Sequence, residues 1–353
     1  MMSSLIKSTP SPQSDASAQG FLANFWARFR RERLAYFSLI LLSVISIVSV
    51  LAPVIANDKP LMVRYQNTTY LPMLHDYAET TFGGEFETSA NYHDPVLIDS
   101  IQRDGTMIMP PIRYGEQTLV LDAPTPHPSA PSTNHWLGTD DVGRDVLARV
   151  LYGLRICLLM GFGLSLVGSV IGIAFGALMG YFGGLADLLG QRIVEVWLGL
   201  PQLFVMMILA SVFVPSVPVL FVLLLSFGWL SLVPLTRAHF LRTRRMAYVL
   251  AAQNLGVHPL VIIKRHILPS ALLLALSQFP FVMVANISAL TTLDFLGLGL
   301  PMGSASLGEL LLQGKNHLDA PHLMLTGFVV LSVVLSLLIL IGEGLRNALD
   351  VKQ

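Results

Sequence analysis

One polar run brings ionisable side chains of both signs together: His135-Trp-Leu-Gly-Thr-Asp-Asp-Val-Gly-Arg-Asp-Val-Leu-Ala-Arg149. Asp140, Asp141 and Asp145 are the residue types that hold a divalent cation or trade protons at close spacing. The plainer alternative is capping: Thr139 or Asp140 opens a helix, and Arg144 and Arg149 pair nearby. Capping is adopted, so no metal site and no catalytic residue is expected here. Elsewhere the chemistry is sparse. The chain contains no GxxxxGK[ST] phosphate loop, no HExxH and no GxSxG. It therefore has no evident means of hydrolysing ATP and no nucleophile–base pair, and an enzyme is not expected. The single cysteine, Cys157, fits a small buried hydrophobe. Two amides inside an apolar run, Gln278 and Asn286, are eight apart and near one helix face. Polar groups in such a run line a translocation path or bond to another helix. Glu195 is the acid closest to a span interior, and it lies near a span end.

The elements that position these residues are apolar. Of 353 residues 53% are hydrophobic and 12% charged, with zero formal net charge. Average soluble chains carry roughly 25% charged residues. The balance indicates an all-α polytopic membrane protein and gives no ground for nucleic-acid binding. Residues 1 to 23 read as a mobile polar tail. The cluster Phe25-Trp-Ala-Arg-Phe-Arg-Arg-Glu-Arg33 reads as an interfacial anchor, and its arginines predict a cytoplasmic N-terminus. Apolar runs at about 34–55, 156–181, 193–214, 218–235, 271–293 and 323–341 predict six spans, with the C-terminus also inside. Residues 57–149 are polar, proline-rich and unable to span. Thr118-Leu-Val-Leu121 hints at a strand, and Pro124, Pro126, Pro128 and Pro131 read as an extended linker. Gly168, Gly172, Gly176 and Gly180 share one helix face and predict a close-packed seam.

One stretch, Tyr248 to Pro269, reads as a water-exposed helical hairpin among the spans. Ala251 and Ala252 favour helix, Gly256 interrupts it, Pro259 opens a second helix, and Pro269 ends that helix. On periodicity alone it is equally a docking knob for a soluble partner or a helix lying on lipid. Arg237, Arg242, Arg244 and Arg245 put it on the cytoplasmic side.

The framework Ala251-Ala252, Gly256, Ile263, His266, Leu268-Pro269 resembles the EAA loop of ABC importer permeases, with Leu250 where that motif usually opens with Glu. The 135–153 segment resembles the HxLGTDxxGRDVLxRxxYG run of the dipeptide and oligopeptide (OppBC) family. Asp294-Phe-Leu-Gly-Leu-Gly-Leu-Pro301 resembles its SFLGLG loop, with Asp294 for the usual Ser. Segments 56–65, 82–84, 94–95 and 111–115 resemble the long outer loop of the YejE-type branch, whose importers take up oligopeptides and the peptide-nucleotide antibiotic microcin C.

The resemblance implies the type I ABC importer permease fold in a bacterial inner membrane. Its divisions would be a tail to residue 33, a first span at 34–56, a periplasmic loop at 57–153, a five-helix domain at 154–347 with coupling loop 238–270, and a C-terminus at 348–353. It implies as partners a second permease in a heterodimer, an ABC ATPase subunit with two nucleotide-binding domains that holds the ATP, and a periplasmic binding protein. It implies that Ala251, Ala252, Gly256, Val257, His258, Pro259, Ile263, His266 and Pro269 meet the ATPase. A stand-alone secondary transporter or channel is the alternative, and buried mid-span ionisable residues would mark it.

Overall fold

The computed structural model describes residues 24–120, 126–214, 216–301 and 303–349. The expected tail to residue 23, Leu121, Pro124 and Lys352 lie outside the described residues.

Among the described residues five helices are long and apolar enough to cross a membrane: α1 (Arg33–Val50), α3 (Val146–Phe182), α6 (Val217–Thr243), α8 (Pro259–Phe295) and α10 (Pro321–Leu349). A sixth crossing is available if the bent pair α4 (Gly184–Gly199) and α5 (Gln202–Val212) counts as one span. The shorter helices are α2 (Pro95–Asp104), α7 (Ala247–Asn254) and α9 (Leu307–Asn316).

Several span boundaries differ from expectation, with α6 running to Thr243, α8 starting at Pro259 and α10 running to Leu349, and three departures have a local reason. Helix α3 begins at Val146 rather than near Ile156, because the Asp145 carboxylate caps it by accepting from the Ala148 N–H at 2.9 Å. The expected straight span at 193–214 is bent by 77°. Leu200 precedes Pro201 and is extended, with φ −76° and ψ 131°, which a helix cannot continue through. Helix α4 also absorbs the polar turn expected at Asp187–Arg192. Third, Pro269 does not end the second helix of the hairpin. A π turn at Ile263–Ile267 precedes it, so Pro269 falls in the first turn of the next α-helical segment, where its missing N–H is not needed.

Helix α3 is the axis of the bundle. It packs along α6 and also meets α8, α1 and α4. One core joins α3, α8, α9 and α10 through Leu154, Cys157, Ile287, Leu310 and Leu338. A second joins α3 to α5, α6 and α8 through Leu164, Met206, Leu224 and Leu293. Phe29, from the aromatic cluster before α1, is buried against Ala35 and Ala348, so this anchor also packs on the far end of α10. Arg30 lies over the Trp26 ring at 5.4 Å.

The polar insert between α1 and α3 has its own small core. Strands β1 (Met62–Tyr65), β2 (Thr68–Tyr70) and β3 (Gly105–Ile108) form an antiparallel sheet ordered β2-β1-β3. Gln66 and Asn67 both have positive φ, which matches the twist of a two-residue hairpin turn. Phe82, Tyr92, Leu97 and Ile101 pack beneath the sheet. Burial, with Tyr77 and Asp76 nearby, holds the Tyr92 phenol above its usual pKa range. The strand hinted at near 118 is a single bridge between Leu119 and Arg144.

Candidate functional site

The hairpin is built from two helix ends placed back to back. Helix α7 closes with a Schellman motif: the Val257 N–H donates to the Ala252 carbonyl at 3.1 Å and the Gly256 N–H to Gln253 at 2.9 Å. The motif needs a left-handed residue after the cap, and Gly256 has φ +74°. It also wants an apolar contact between the residues Ala252 and Val257 occupy, and both belong to one cluster. The spacing of Ala252, Gly256 and Val257 is therefore a backbone requirement. His258 then caps α8, accepting from the Leu260 N–H at 3.3 Å, with Pro259 in the first turn.

The inner side of the knob is anchored. Val249, Ala252, Ile262 and Ile267 are buried against Phe240 of α6 and Ala177 of α3, with Ile263 packed beside them. Its outer side is bare and apolar: Leu255 is 83% exposed, Leu260 55%, Leu250 45% and Val261 45%. Ala251, Gly256, His258, Pro259 and Pro269 are also exposed, while His266 is half-buried 6.4 Å from the Tyr248 ring. Among the described residues the knob makes no ion pair.

The glycine seam holds α6 in place behind the knob. A Cβ on Gly172 would lie 2.6 Å from the Trp229 carbonyl, on Gly176 2.9 Å from that of Val233, and on Gly180 2.6 Å from that of Arg237. Gly168 faces Gly228 and Trp229 at 3.4 Å. Backbone thus approaches backbone along the seam, and at 172, 176 and 180 the approach is one that only glycine permits. At the knob end, Arg237 of α6 grips Asp187 of α4 through two hydrogen bonds, and Arg244 donates to the Tyr181 carbonyl at 3.0 Å.

At the opposite end of α3, the aspartates form a clamp. Asp140 does not cap a helix. It accepts from the Arg144 N–H at 2.8 Å and Nε at 2.7 Å, with Arg149 Nε at 3.3 Å. Arg149 Nη2 reaches Glu309 at 2.7 Å and the Ser304 carbonyl at 3.0 Å. His135 Nδ1 lies 2.9 Å from the Asp145 carboxylate. The oxygens of Asp140 and Asp145 are spent on guanidinium, imidazole and backbone N–H groups, while Asp141 stands apart with His317 at 4.0 Å and its Oδ1 buried without a hydrogen bond; among the described residues no acidic, His or Cys cluster could hold a metal. Expected capping thus moves from Thr139 or Asp140 to Asp145. Sequence reasoning missed Glu309 and Gln313, which join the clamp from α9. Asp294 accepts from the Leu300 N–H at 2.8 Å and from the Ser306 hydroxyl, pinning the loop before α9.

Asn286 and Gln278 are not brought together. Asn286 is buried, donates to Ser165 of α3 at 2.9 Å, and borders a cleft of about 260 Å³ between α4, α6 and α8 with Trp197, Gln202 and Ser231. Gln278 is half-buried outside that cleft.

The family profile described as binding-protein-dependent transport system inner membrane component matches residues 172–352. Another, the N-terminal TM domain of oligopeptide transport permease C, matches 20–80. The chain is 50% identical over 325 residues to the inner membrane ABC transporter permease protein YejE of Escherichia coli (strain K12), covering 92% of this chain and 95% of the relative. It is 41% identical over 352 residues to the peptidoglycan transport system permease protein YejE of Agrobacterium fabrum, covering 93% and 92%. It is 29% identical over 333 residues to the dipeptide transport system permease protein DppC of Haemophilus influenzae, covering 94% and 95%.

Proposed function

The chain belongs to the binding-protein-dependent, OppC-like permeases of ABC importers, and from that premise we propose that the 248–269 knob is the lever through which a separate ATPase drives it. A protein of this family is a multi-pass inner-membrane transport subunit, not an enzyme, and it works with an ATPase and a binding protein. Beyond that, its cargo is an oligopeptide or a peptide-nucleotide compound such as microcin C. The names of the relatives, dipeptide and peptidoglycan transport permeases, support cargo with peptide bonds. The pore is a heterodimer with a second permease, and one ATPase subunit supplies both nucleotide-binding domains. Both termini and the knob face the cytoplasm, and the 57–145 insert faces the periplasm. Closure of the ATPase pushes the knob; α6 and α8 rock with it, and the Asn286 cleft takes part in the path.

The observation that carries this reading is the bare apolar tip on a rigid base. Exposed Leu255, Leu260 and Val261 surround two interlocked helix caps, and the base is packed into α3 and α6. Such a tip suits a groove on a soluble partner. A stand-alone secondary transporter would couple through buried mid-span charge. Here Glu195 is exposed and 2.6 Å from Arg192, and the buried charged residues of the spans, Arg149 and Asp294, sit at helix ends.

The test is uptake of a labelled oligopeptide by cells whose sole copy of this subunit carries Gly256→Pro. Proline cannot adopt φ +74°, so the cap opens. The expected result is normal insertion with uptake abolished. Normal uptake would remove the lever assignment.

A further inference from the structure

A groove runs between α1 and the bundle, sharing no lining residue with the knob or the Asn286 cleft. Its walls are apolar, built from Leu39 and Leu42 of α1, Phe162 of α3, Phe279 of α8 and Leu338 of α10. One charged residue opens into it, Arg155 of α3. Arg155 is half-buried and makes no hydrogen bond or ion pair among the described residues. Ser46 and Ser49 donate to carbonyls of their own helix, at 2.7 Å and 2.9 Å, and neither makes a hydrogen bond to Arg155. Arginine stays charged in proteins, and a half-buried guanidinium with no ion pair among apolar walls is stabilised by an anion beside it. The groove therefore lacks an anion.

Its dimensions select what brings that anion. From Leu39 to Val50 the groove follows α1 for about 16 Å at ~1.5 Å per residue. One leaflet is half of a ~30 Å hydrocarbon core, so the length matches a single leaflet. The cavity volume is about 370 Å³. Spread over that length, it gives a cross-section near ~23 Å², while a helix about 10 Å across needs roughly 80 Å². The groove is narrow for a transmembrane helix and matches a single hydrocarbon chain. Arg155 shares the groove with Ser49 and Val50, at the end of α1 that leads into the insert, which is where a headgroup would lie. A guanidinium matches a phosphate bidentately.

We propose that this groove binds one anionic phospholipid, its phosphate on Arg155 and an acyl chain between α1 and the bundle, in the leaflet on the insert side. The lipid would fasten α1 to the other spans and neutralise Arg155. Nothing in the inference depends on the cargo or on the ATPase.

The experiment is native mass spectrometry of the protein, extracted with its co-purifying subunits and titrated with phosphatidylglycerol and with phosphatidylcholine. Wild type should bind phosphatidylglycerol about tenfold more tightly. Arg155→Gln should lose that preference, Arg155→Lys should keep part of it, and Leu42→Trp should remove both lipids by filling the groove. The same spectra report assembly, which separates loss of lipid from loss of fold. Equal binding of the two lipids by wild type, or unchanged preference in an assembled Arg155→Gln protein, would overturn the proposal.

Discussion

The insert end of α3 and the hairpin beside its other end are held by opposite physics. At the insert end, Asp140, Arg144, Arg149 and Glu309 form a buried network that ties the insert, the start of α3 and α9 together. At the knob end, the hairpin is held by apolar packing against Phe240 and Ala177, by helix caps, and by glycine contacts between backbones. Buried charge tolerates no partial arrangement, because a missing partner strands the other ion. Apolar packing with exposed helix ends lets a unit shift as a body and re-pack. The clamp suits a fixed anchorage; the knob suits a part that is pushed.

The largest effect should come from breaking the clamp. Arg149→Met leaves the Asp140 carboxylate, fully buried, without one of its two cations. Breaking a buried pair on one side costs about 3–5 kcal/mol. The purified complex should melt at a clearly lower temperature, and less of it should accumulate in the membrane. An unchanged melting curve would show that the clamp is not an anchorage.

Next in size is the seam. Gly180→Val adds a branched side chain whose Cβ would lie 2.6 Å from both the Arg237 carbonyl oxygen and the Phe240 Cβ. Overpacking of this kind costs roughly 1–3 kcal/mol. Stability should fall by less than in the Arg149 variant, and uptake should fall with it, because the knob rests on Phe240. Separate responses of stability and uptake would mean that α6 does not carry the knob.

The smallest effect on stability should come from the tip. Leu255→Asp changes a side chain that is 83% exposed and should leave stability within about 0.5 kcal/mol. Uptake should nevertheless be lost if the tip docks as proposed, because the charge would then face an apolar groove on the partner. That inversion, little lost in stability and everything lost in transport, is the sharpest contrast with the clamp.

Much of this layout was legible in the chain. The apolar runs marked the spans, because only sustained hydrophobicity can cross a bilayer. The glycines at 168, 172, 176 and 180 marked the seam, because a four-residue period keeps them on one face. The alanine, glycine and proline spacing of the hairpin was legible because caps are local and their rules are backbone rules. What escaped is non-local or depends on one residue of register. Glu309 lies 160 positions from Arg149, and no periodicity couples them. Asp145 rather than Asp140 caps α3, since several acids in that run satisfy the same preference. Pro269 reads as a terminator because the inserted π turn ahead of it leaves no mark in composition. Strands β1 to β3 were missed because each has only three or four residues.

The most direct measurement places a photo-crosslinking amino acid at position 255 in inner-membrane vesicles carrying the complete importer. The account predicts a cross-link from the tip of the knob to the ATPase subunit, with a yield that changes when ATP is added. Cross-links to lipid alone, or labelling of that position by a membrane-impermeant reagent from the periplasmic side, would contradict it.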